Sequence, residues 1–148
     1  MHRGLRCKNF EDMRAELDRL GDGPVETTGN WSYYQIITHL TQAVEGSLKG
    51  VERDMPFWKK HILGPLLYQL FAFRGTIPQG IKGRPVERVE GNAVEAVAQF
   101  RKTLDAFEKY EGPFSDHPIL GPLNKKQWAN FHPLHFANHV GHTKKNNS

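Results

Sequence analysis

Four histidines stand close together near the C-terminus, His132, His135, His139 and His142, separated by steps of three, four and three. Such steps return to one face of a helix, where stacked imidazoles can present two nitrogens to one cation from a rigid support. The chemistry on offer is coordination of a divalent metal, for which a third ligand must arrive from elsewhere in the chain. Eight histidines scattered over 148 residues would give about 0.4 pairs spaced H-x-x-x-H by chance. The spacing therefore acquires weight only with that third nitrogen.

His39 is the candidate third ligand. It lies on an apolar helix face among Ile36, Leu40 and Ala43, and an imidazole buried there costs free energy unless a nitrogen finds a partner. A metal is one such partner; a backbone carbonyl or Gln42 is another. Pro133 removes a helical hydrogen bond and kinks the axis. His135 and His139 follow the proline together. His132 precedes it and His142 sits where the helix frays, so both rank below the pair.

The elements that must position these residues read as helices separated by Gly, Pro and Asn. Asn9 caps a helix over Phe10 to Leu20, ended by Gly21. After a connector from Gly21 to Gly29, Asn30 caps a helix that keeps its apolar period to about Glu52. A third helical stretch from Trp58 to Arg74, interrupted at Gly64-Pro65, is apolar nearly all round and is expected to be central or covered by a partner. Gly75 to Gly91 reads as a long irregular crossover. Asn92 with Glu95 opens a helix to about Glu111, and Asn124 with Gln127 opens the last, from Lys125 to about His142. Between them Gly112 to Leu123 is a loop, and no convincing strand is visible. The expectation is one all-α domain over residues 1–148, a four-helix bundle with a long crossover, whose ends at 1–8 and 143–148 are flexible.

Composition excludes several functions. The net charge of +4 comes from 20 basic and 16 acidic residues interspersed without a basic stripe, which argues against nucleic acid as a partner. Cys7 is the single cysteine, so thiolate clusters and internal disulfides are excluded and a reducing cytoplasm fits. The apolar run from Ile62 to Phe73 is too short to span a bilayer, and no secretory signal opens the chain.

Several motifs resemble a known group. Asn30-Trp31-Ser32 leads to Ile36-Ile37-Thr38-His39-Leu40; Asp116-His117-Pro118-Ile119-Leu120-Gly121-Pro122-Leu123 follows, then Gln127-Trp128, and finally His135-x-x-x-His139-Val140. From about Asn9 to Gly141 this order resembles the DinB/YfiT-like metalloenzymes, most nearly an uncharacterised branch with a mid-helix His-Leu, a His-Pro loop and a terminal H-x-x-x-H. The resemblance implies a three-histidine metal site on His39, His135 and His139. Asn138 departs from it, standing where many relatives carry another histidine.

Three neutral imidazoles leave a divalent ion charged and with an open position, as in catalytic sites. Zinc or nickel is the first expectation for the ion, with iron or copper next. The resemblance implies a small-molecule substrate, with hydrolysis or transfer of a low-molecular-weight thiol as the reaction. Gln42, Glu45 and Asp116 are candidates to orient a ligand ring. His117 is expected to stabilise its turn, and Trp31 and Trp128 to pack the core. The competing reading is a non-catalytic helical binding protein, a homodimer through Ile62 to Phe73, in which the histidines are structural.

Overall fold

The computed structural model describes residues 1–78 and 90–146. Five α-helices dominate these residues: α1 (Phe10–Leu20), α2 (Tyr33–Ser47), α3 (Gly64–Arg74), α4 (Ala93–Lys109) and α5 (Lys125–Val140). A π-helical turn, Lys59–Leu63, leads directly into α3.

Caps explain most of the boundaries. Asn9, Asn92 and Asn124 each accept a hydrogen bond from the backbone N–H three residues on. Gln127 completes the reciprocal box at α5 by accepting from Asn124 N–H. At α2 the cap is Ser32, not Asn30, because only Ser32 has a glutamine at the third helical position. Ser32 Oγ accepts from Gln35 N–H while Gln35 accepts from Ser32 N–H.

α2 also stops at Ser47, short of the expected Glu52. Ser115 takes its last carbonyls, donating its N–H to Ser47 O at 2.9 Å and its hydroxyl to Gly46 O at 2.7 Å. A distant loop thus supplies partners that a further helical turn would otherwise provide.

α2 packs on both α4 and α5, and α1 on both α5 and α4. Met13, Leu17 and Leu20 from α1 meet Ile36, Ile37, Leu40 and Val44 from α2, Phe100, Leu104 and Phe107 from α4, and Phe136 and Val140 from α5. α3 is not central. It packs mainly along the π-turn, and Leu66, Leu70 and Phe73 point outward.

Two short antiparallel strand pairs qualify the all-helical expectation. β1 (Val25–Thr27) pairs with β4 (Thr143–Lys145), and β2 (Asp116–His117) with β3 (Gly121–Pro122). The ends are therefore held rather than free. Arg3 donates its N–H to Gly141 O and its side chain binds Glu16, Cys7 is buried, and β4 is tied to the connector before α2. The expected crossover from Gly75 to Gly91 falls largely outside the described residues.

Candidate metal centre

α2 brings His39 against the last two turns of α5, where His135 and His139 lie one turn apart. His39 Nε2 is 3.1 Å from His135 Nε2, and His139 Nε2 is also 3.1 Å from His135 Nε2. One ligand nitrogen from each of the three rings lies within 4.8 Å of the others. The ring centroids are 5.0, 4.8 and 4.8 Å apart, with planes crossing at 78°, 74° and 74°. The three imidazoles thus form a nearly three-fold array.

Hydrogen bonding cannot satisfy this arrangement. A neutral imidazole Nε2 carries either one proton or one lone pair, so His135 Nε2 forms a well-directed bond with only one of its two neighbours. A cation accepts all three lone pairs together. At metal–nitrogen distances of about 2.0–2.1 Å, ligands on a tetrahedral ion stand about 3.3 Å apart. The separations of 3.1 Å are close to that spacing, so the residues present fit a divalent ion.

Burial sets the charge state. It lowers the affinity of all three rings for a proton: His139 is pushed down to about 3, His135 well below its ordinary value, and His39 in the same direction. Mutual repulsion adds to desolvation at His135 and His139. All three are neutral at pH 7, which is the ligand form.

The surroundings are aromatic. Trp31 lies parallel to His139, with planes 6° apart and centroids at 5.2 Å, and meets His39 edge-on at 5.1 Å. Phe131 stacks on His135 at 5.7 Å. Trp31 therefore flanks two ligand rings rather than only packing the end of the helices. The detectable sequence sign was its place just before the Ser32–Gln35 box, where an apolar residue folds back on the structure.

The other candidate histidines go elsewhere. His132 is 2% exposed and its Nε2 lies 3.0 Å from Ser47 Oγ, whose hydroxyl donates to Val44 O at 2.6 Å. Burial, with His117 nearby, pushes it to about 3. His117 stabilises its turn as expected, Nδ1 accepting from Ile119 and Leu120 N–H, both at 3.0 Å. His142 lies beyond α5, edge-on to His2. Trp128 is core, its indole N–H donating to Ser115 O at 3.0 Å.

The expected ring-orienting groups do not serve that purpose. Gln42 is exposed, Glu45 accepts from Thr103 Oγ, and Asp116 accepts from Arg53 N–H and pairs with Lys60. His135 Nδ1 is buried without a hydrogen-bond partner among the described residues. A cavity of about 280 Å³ beside α5 is lined by Arg6, Arg74, Ile77, Leu134 and Asn138, among others, and by none of the three ligand candidates.

Among the described residues no helix is long and apolar enough to cross a membrane. No curated protein and no solved structure matches the chain. The DUF1569 family, described as a protein of unknown function, matches residues 1–146, and the chain belongs to that family.

Proposed function

We propose that this protein is a metal-dependent enzyme of the DinB/YfiT-like kind, a four-helix bundle with a crossover between α3 and α4. In this reading His39, His135 and His139 hold a divalent ion, zinc or nickel before iron or copper, and a small molecule undergoes hydrolysis or thiol transfer. The observation that carries the reading is the convergence of three Nε2 atoms, on half-buried rings, that cannot satisfy one another. The packing of α1, α2, α4 and α5 on one another supports the bundle, and the single buried thiol of Cys7 suits a reducing cytoplasm.

His39, His135 and His139 would hold a divalent ion through three neutral imidazoles, and that ion would supply Lewis acidity toward a carbonyl, water or thiol. The chain's own part is to hold three neutral rings, each with one lone pair to offer, because desolvation disfavours the imidazolium form. The parallel stack of Trp31 fixes the plane of His139 and keeps water from that flank. Neither Glu45 nor Asp116 serves as a base, since each is engaged away from the histidines.

The test is turnover by the full chain loaded with zinc or nickel, offered an activated ester in one assay and a low-molecular-weight thiol with an electrophile in another. Metal-dependent turnover in either, lost in His39→Ala, is the expected result. Rates equal to those of the metal-free protein in both assays would refute the enzyme reading while leaving metal binding to be judged separately.

A further inference from the structure

The segment from Pro56 to Arg74 carries an apolar stripe that the other described residues leave uncovered. Phe57, Trp58, Ile62, Leu66, Leu70 and Phe73 are exposed by 73%, 54%, 54%, 62%, 45% and 91%. Their spacing, with the π-turn widening one step, keeps Trp58, Ile62, Leu66, Leu70 and Phe73 on one side of a continuous helical rod. With side chains of this size the stripe presents on the order of 800 Å². That exceeds the largest apolar patch of an ordinary monomer, roughly 300–600 Å², and equals what one partner contributes to a stable interface, about 800 Å².

Charge around the stripe is mixed. Glu52 and Asp54 precede the stripe and Arg74 follows it; all three are exposed, and none forms an ion pair within the described residues. Within the segment, Lys60 is paired with Asp116 and Lys59 lies over the Trp58 ring, 5.3 Å from its centroid. A second copy laid antiparallel suits this face, because a two-fold axis near Leu66 sets Ile62 of each copy against Leu70 of the other and repeats the match.

We propose that this protein forms a two-fold symmetric dimer through the outward face of Phe57 to Phe73, the two segments crossing antiparallel near Leu66. The stripe buries itself against its own copy, with apolar side chains paired across the axis. The metal centre lies on α2 and α5, away from this face, so the dimer stands independently of the proposed enzyme.

Analytical ultracentrifugation of the full chain, over concentrations above the micromolar range where the weakest interfaces of this size dissociate, tests it. The expected species has twice the 16.9 kDa chain mass, and Leu66→Glu is monomeric with unchanged helical circular dichroism. If that variant loses its helical signal, Phe73→Ser supplies the same comparison at a fully solvated position. A monomeric parent, a dimer indifferent to both apolar substitutions, or a monomer that instead adheres to phosphatidylserine vesicles would overturn the proposal.

Discussion

Two histidine environments lie along the contact between α2 and α5, one fully buried and one half-buried, and they are chemically opposed. At one, Ser47 faces His132; two turns earlier on α2, His39 faces His135 and His139. Burial drives His132 and His139 alike to about 3, so desolvation alone does not distinguish a structural histidine from a ligand. The partner does. His132 has the Ser47 hydroxyl, which itself donates to Val44 O. Among the described residues the other three rings meet one another and an aromatic wall, an arrangement that a cation would complete.

Breaking the two environments separately should have opposite consequences. His135→Ala removes the central ligand and is expected to weaken zinc binding more than about 100-fold, beyond what loss of an orienting neighbour costs. The metal-free stability should change by no more than about 1 kcal/mol. Competition titration against a chromophoric chelator, paired with urea unfolding, measures both.

His132→Ala should do the reverse. It empties a fully buried site between Trp128 and Phe107 and is expected to cost about 3 kcal/mol of stability. Zinc affinity should stay within about tenfold of the parent. Equal losses of affinity in the two variants would erase the distinction between the environments.

Acid should expose what the two environments share. Unfolded imidazoles take up protons as pH falls below about 6.5, whereas burial holds His132 near 3 and His117 near 4. The unfolded state therefore binds more protons in that window. Stability from this source is complete above about pH 6.5 and declines toward pH 3. Metal-free protein is expected to lose at least about 2 kcal/mol between pH 7 and pH 4.5, read by denaturant titration at each pH. His132→Phe should reduce the slope by about one proton; a flat profile in the parent would contradict the neutral buried state.

Much of the scaffold was legible because its determinants are local. Asn9, Asn92 and Asn124 mark helix starts through side chains that reach three residues on, and Gly21 and Gly75 adopt the positive φ that ends α1 and α3. The three converging histidines were also visible, as an apolar-face residue and a one-turn pair. What escaped depended on contacts between distant segments. The early end of α2 rests on Ser115, and the order of the C-terminal segment rests on Val25–Thr27. The partner of His132 is a serine 85 positions away, and no spacing rule points to it. Trp31 was assigned to packing because its stack on His139 joins the start of α2 to the end of α5.

The smallest effect sharpens the role of that aromatic wall. Trp31→Ala removes the stack on His139 and is expected to weaken zinc binding by up to about tenfold, the equivalent of one good ring contact. Trp31→Phe should recover most of it. Isothermal titration of the pair against the parent separates ring positioning from general packing, since helical content should be unchanged in both.

The central claim is that three nitrogens from two helices form one metal centre. Its most direct test is elemental analysis of protein produced without a histidine tag, compared with His39→Ala treated identically. One divalent ion per chain in the parent and none in the variant is the result predicted. A parent that takes up no metal even after equilibration with zinc or nickel would contradict it.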